Sequence, residues 1–200
     1  MLDLPRRRRG VRHLAATLAI IGPLTLAPSC ASPSAGLRRP PDPSAAGIAD
    51  ERVYVSYNCD GGRYRVQLPK GWQRSISGST VQAATSLNRV VATSRPGNAP
   101  TKSELASVTN LSRLQQLTGI SVISLRTASD VKLPVGPALR SLYVARSAAD
   151  STGHATSEDL VAFTIPGPGR YASLVIVSPA GSDVADLSKI ITDSFRWKQV

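Results

Sequence analysis

The stretch Arg63–Trp72, RYRVQLPKGW, limits the fold most tightly. Tyr64, Val66 and Leu68 alternate with Arg63, Arg65 and Gln67, so one face is apolar and the other charged or polar, the pattern of a half-buried strand. Pro69-Lys70-Gly71 ends it, because proline cannot donate to a ladder and glycine accepts a positive φ. Trp72 follows at once and is large enough to seal a core edge. A chain built around such a segment needs a sheet with something packed on it.

The flanking sequence supplies both. Arg52–Tyr57 alternates, and Asn58-Cys59-Asp60-Gly61-Gly62 is a turn, so the two segments form a hairpin. Strands are predicted at 79–85, 89–94, 120–127, 138–147, 160–165 and 171–178. Leu174-Val-Ile-Val177 is continuously apolar, as in a central strand covered on both faces. Asp130–Pro137 reads as a wide turn, and Pro166-Gly-Pro-Gly169 as a tight one. Thr101-Lys-Ser-Glu104 is a capping box, which predicts a helix from Thr101 to about Leu117 with Gly119 past its end. Its stripe Leu105, Val108, Leu111, Leu114, Leu117 drifts by about 60° per step, so the helix buries a broad face. A second helix is capped by Ser182, carries Asp183 and Asp186 near its positive end and runs through ITDSFRW, with Val184, Leu187, Ile191 and Phe195 on one stripe. The fold class is α+β: a twisted antiparallel sheet of six to eight strands flanked by two main helices, spanning 52–200.

Residues 1–29 read as a secretory signal peptide. Arg6–Arg9 and Arg12 precede an apolar run, Leu14–Leu26, that at 13 residues is shorter than the ~20 a spanning helix needs. Ala27-Pro-Ser-Cys30 then resembles the lipobox of bacterial lipoproteins, in which the cysteine receives diacylglycerol with palmitate-type chains and becomes the N-terminus. Ser29 fits the motif, while Pro28 and the early Leu26 depart from it. Cleavage near Ala31, with Cys30 removed and the protein secreted, is the other reading. The arginines before Gly10-Val11 lack the Phe-Leu of a twin-arginine signal. Residues 30–51 are the candidate lipidated Cys30 and a Pro/Ser/Ala-rich spacer, which four prolines (33, 40, 41 and 43) keep from regular helix. Lys and Arg number 24 against 13 acids, a net of +11. The charge beyond Cys30 is scattered, with no basic run past Arg38-Arg39. That suits an anionic envelope or lipid headgroups and argues against nucleic acid, which calls for a basic patch with aromatic platforms.

The hairpin ending in RYRVQLPKGW, LNRVVATSRP, the capped helix and the final ITDSFRW together resemble actinobacterial lipoproteins with a PsbP-like domain, and more distantly the LpqN/LpqT-type lipoproteins. The resemblance covers roughly Arg52–Trp197. It implies a twisted antiparallel sheet with helices on its faces and a role in binding or assembly, and it carries no catalytic residues.

The residues that could carry chemistry point the same way. His154 lies in a polar loop near Asp150, Ser151 and Glu158, but no Gly-x-Ser-x-Gly elbow accompanies it. With one histidine beyond the signal peptide, His154, and one internal cysteine, Cys59, no zinc pattern exists. Cys59 is a lone thiol if Cys30 is lipidated, whereas a retained, unmodified Cys30 would allow a disulfide. Asp183, Asp186 and Asp193 are better explained by the last helix than by calcium, and Asp60-Gly61-Gly62 lacks the other acids of an EF-hand loop. Gly167 and Gly169 lead to Arg170 and a strand, not to the helix N-terminus that a phosphate loop feeds. No catalytic, metal or cofactor site is expected. The expected function is a non-enzymatic binding or assembly module, exported and lipid-anchored on the extracytoplasmic face of the cell membrane, whose partner is an unidentified envelope protein or small ligand. A lipid or metabolite carrier with a pocket lined by Leu105, Leu111 or Val175 is the alternative, and a secreted hydrolase using His154 a further one.

Overall fold

The computed structural model describes residues 53–120, 122–149 and 152–198. The signal peptide, Cys30 and the spacer lie outside the described residues, as do Asp150 and Ser151.

The strands are β1 (Tyr54–Cys59), β2 (Tyr64–Pro69), β3 (Gln73–Ser77), β4 (Thr80–Ala84), β5 (Arg89–Pro96), β6 (Val122–Leu133), β7 (Gly136–Arg146), β8 (Ser157–Gly167), β9 (Arg170–Pro179) and β10 (Arg196–Trp197). The helices are α1 (Val108–Thr118) and α2 (Ala185–Ser194). Seven strands form one antiparallel sheet in the order β3-β4-β5-β9-β8-β7-β6, and a smaller sheet has the order β1-β2-β10.

Alternation along the strands assigns each side chain to one of two cores. On β9, Ala172, Leu174 and Ile176 enter the first core, while Val175 and Val177 enter the second. This is why 174–177 is apolar without interruption: β9 lies between β5 and β8, and both of its faces are covered. The first core is closed by the small sheet and α2, through Tyr64, Val66, Leu68, Leu187, Ile191 and Phe195. The second is closed by α1 through Leu114, over Tyr143, Leu160 and Val175. Tyr64, Val66 and Leu68 are fully buried and Arg65 is exposed, as the alternation of RYRVQL requires. Each such aliphatic side chain contributes roughly 1.5–3 kcal/mol by leaving water.

The structure corrects the sequence reading at five places. β3 was not expected; all five of its residues are exposed at the sheet edge, so no buried alternation marks it. The helix expected from Thr101 is instead a 3₁₀ turn at Glu104–Ala106 followed by α1. Ser107 separates them in extended backbone, ψ 147°, and caps α1 by accepting the Asn110 amide. The capping-box contact itself forms, since the Thr101 amide donates to the Glu104 carboxylate at 2.7 Å. The wide turn at Asp130–Pro137 shrinks to Pro134-Val135, because the β6–β7 ladder continues to Leu133 opposite Gly136. Ser182 does not cap α2; the Asp183 carboxylate accepts the Ala185 amide at 2.9 Å in its stead. Finally, α2 stops at Ser194, and Arg196-Trp197 pairs with β2.

Candidate functional site

The bulge in β6 between Leu125 and Thr127 decides where a concavity can form. Before it, Ile123 and Leu125 pack toward α1; after it, Val131 and Leu133 pack toward the opposite face. The extra residue reverses which face the odd-numbered side chains occupy. Apolar side chains from β6, β7 and β8 thereby line up on the α2 side of the sheet.

There α2 does not close down fully on the sheet. A groove of about 500 Å³ runs between them, with Leu133, Leu142, Val161 and Phe163 on its sheet wall and Val184, Ser188 and Thr192 on its helix wall. Ser188 and Thr192 are short side chains on the buried side of α2, so the helix sends no long apolar group across the gap. Charged groups rim the groove, and they are not equally engaged. Asp159 accepts the Gly181 amide at 2.9 Å, Asp183 caps α2, and Asp193 holds Lys189 at 2.5 Å. The guanidinium groups of Arg126 and Arg140 line the groove with no hydrogen bond or ion pair among the described residues. The arrangement is an apolar trough with two available guanidinium groups, suited to an anion that carries an apolar body.

The pocket expected around Leu105, Leu111 and Val175 is not where space exists. Leu105 and Val175 are 2 % and 0 % exposed, and Leu111 packs against the second core, so the α1–sheet interface is filled. Asn110 on α1 donates to the Leu105 carbonyl at 2.9 Å and to the Tyr143 hydroxyl at 3.3 Å, which fastens α1 to the sheet. Burial pushes the Tyr143 hydroxyl above its ordinary pKa.

The other sequence candidates are dispersed. His154 is exposed in the β7–β8 loop. Glu158 is the second residue of β8; burial raises its pKa, and Arg89 opposes that rise. The Arg89 guanidinium donates to the Thr118 carbonyl at the end of α1, where the helix is electronegative. Among the described residues no group of three or more His, Cys, Asp or Glu side chains could hold a metal ion. Cys59 is fully buried at the end of β1. Asp60 follows it with φ 55° and accepts from Arg170 at 2.8 Å and Ser94 at 2.5 Å, so Arg170 holds the hairpin turn to the main sheet. Gly169 has φ 62°, as the tight β8–β9 turn requires.

These features define an α+β domain of Mog1p/PsbP-like fold. The solved structures similar to it include the Ran-binding protein Mog1p of Saccharomyces cerevisiae, with a TM-score of 0.51 and 11% identity over 73% of this chain and 96% of that one. A structure from Bacteroides thetaiotaomicron has a TM-score of 0.44 and 10% identity, covering 72% of this chain and 48% of that one. No family model matches the sequence, and no curated protein does. At 11% identity the likeness to Mog1p extends to the fold and no further.

Proposed function

We propose that the protein is exported, anchored to the extracytoplasmic face of the membrane through an acylated Cys30, and acts there as a non-enzymatic binding module of the cell envelope, of the actinobacterial PsbP-like lipoprotein kind. The basic start, the 13-residue apolar run and the Ala-Pro-Ser-Cys motif support the export and the anchor. The observation that carries the binding role is the groove between α2 and the sheet, open and flanked by Arg126 and Arg140 without protein partners among the described residues. The groove also favours a second reading, a carrier for an amphiphilic anion such as a lipid. Hydrolysis through His154 rests on weaker ground, since that side chain is exposed in a loop while Glu158 faces Arg89.

Fractionation of cells expressing wild type and Cys30→Ala tests the anchor. Wild type should sediment with membranes and the variant should be released; equal retention defeats the proposal. Native mass spectrometry of the extracted protein then separates the two roles. A co-purifying protein supports the assembly module, a small-molecule adduct supports the carrier, and a chain beginning after Cys30 removes the anchor.

A further inference from the structure

We propose that the outer face of the small sheet docks on anionic lipid headgroups of a membrane. β10 pairs with β2 so that Arg196 stands opposite Arg65. The Lys198 amide donates to the Arg63 carbonyl at 2.9 Å, which carries the ladder one pair further. Alternation puts Arg63, Arg65, Arg196 and Lys198 on the face opposite the buried Tyr64 and Val66, and all four are exposed. Like charges directly opposite each other on a sheet repel.

The described residues do little to neutralise them. Arg63 is 3.9 Å from Asp60, whose other oxygen is only 2.8 Å from Arg170. Arg196 donates to the carbonyls of Asp193 and Phe195, which orient the guanidinium without removing its charge. The Asp193 carboxylate is 2.5 Å from Lys189. The Arg65 guanidinium makes no hydrogen bond or ion pair among the described residues. Among the described residues the block therefore keeps most of its charge, and an anionic surface complements it.

A second feature selects the partner. Where β2 meets α2, Arg65, Gln67, Ser194 and Arg196 line a shallow hollow of about 340 Å³ together with Ile190, which is 40% exposed, and Asp193, whose carboxylate is paired with Lys189. Guanidinium groups bind phosphate oxygens in pairs, and an apolar side chain among cations enters the boundary between headgroups and acyl chains. A soluble polyanion offers the charge but nothing for Ile190. The chain enters this sheet at Tyr54, opposite Pro69 and at the far end of the β1–β2 ladder from Arg63 and Arg65, so an anchor at Cys30 would keep the domain near the bilayer and leave the choice of face to the charge. This step rests on the anchored reading above.

The test uses the exported chain carrying Cys30→Ala and freed of residues 1–29, so that neither lipid nor the basic, apolar leader assists, sedimented with vesicles of phosphatidylcholine alone or mixed with phosphatidylglycerol. Binding should require phosphatidylglycerol and weaken with salt. Arg65→Ser with Lys198→Ser should lower affinity about fivefold per cation. Ile190→Ser should remove the part of binding that survives high salt. Arg95→Ser with Lys132→Ser, the same charge loss at exposed sites elsewhere, should leave binding intact; an equal loss there overturns the proposal, because diffuse charge would then suffice. Absence of binding, or equal binding to phosphatidylcholine alone, also overturns it. Tight binding to polyphosphate that Ile190→Ser leaves unchanged would assign the face to a soluble polyanion. Thermal melts confirm that each variant is folded, and Arg63→Ser replaces any that is not. The vesicle result does not depend on acylation, so fractionation can fail while this surface stands, and the reverse.

Discussion

Gly167 lies beneath the indole of Trp197, where an added Cβ would come within 2.4 Å of the ring. The ring is held by its own hydrogen bond, Nε1–H to the Pro166 carbonyl at 2.9 Å, and by edge contacts to Phe195 and Tyr64 with centroids 5.2 and 6.3 Å away. Gly167→Ala must displace Trp197, and the expected cost is about 1–3 kcal/mol in urea unfolding. In sequence Gly167 is only a turn residue; its real constraint comes from an aromatic 30 residues later. Two glutamates should titrate in opposite senses. The Thr101 amide and hydroxyl hold Glu104 below its ordinary pKa. Glu104 therefore stabilises the fold above the unfolded-state value, and that contribution is lost as pH falls through the lowered one. Burial raises Glu158, so its charged form opposes folding as pH climbs past the unfolded-state value. Melting temperatures taken across the acidic range should show Glu104→Gln converging on wild type at low pH, and Glu158→Gln gaining on wild type as pH rises. Parallel curves for both variants would show that neither environment matters.

The elements differ in how plainly the chain announces them. β2 and β9 can be read from alternation and from an unbroken apolar run because burial alone decides them. β3 cannot, since its five residues touch water and only the pairing with β4 makes them a strand. The start of α1 is ambiguous in the sequence because two serviceable caps stand six residues apart, Thr101 and Ser107, and the extended backbone at Ser107 assigns the helix to the second. Ser107→Ala should cost about 1 kcal/mol by removing the acceptor for the Asn110 amide. The chain after α2 is the clearest case of tertiary override. Phe195 continues the helical stripe in sequence, yet it leaves α2 to stack on Tyr64 at 5.5 Å while Arg196 and Trp197 join β2. Phe195→Ala should cost about 3–5 kcal/mol in denaturant unfolding, because the site is fully buried at a junction of both sheets and α2. A value near 1 kcal/mol would mean that the small sheet and α2 close over the cavity.

Taken as a body, the domain is a sheet with two unequal coverings. α1 fills its side, while α2 leaves a trough, and the sequence hid that asymmetry. Apolar periodicity marks which residues face a core but not how far the opposing surfaces stand apart, so Leu105, Leu111 and Val175 looked as suitable for a pocket as Leu142 or Phe163. What sets the gap is the pair Ser188 and Thr192 on the inward side of α2, together with the β6 bulge that turns Val131 and Leu133 the same way. Both were in the sequence, and neither has a pattern that reads as a cavity. The carrier reading can be tested on these residues. A long-chain carboxylate would lay its tail along Leu142, Val161 and Phe163 and its head against Arg126 and Arg140. Replacing both arginines by serine should then weaken displacement of a fluorescent fatty acid by about tenfold or more, the scale of losing charged hydrogen bonds. Ser188→Trp should abolish uptake by filling the trough from the helix side. Uptake that survives Ser188→Trp would place the ligand elsewhere and leave the groove to a protein partner, whose binding the same tryptophan should block.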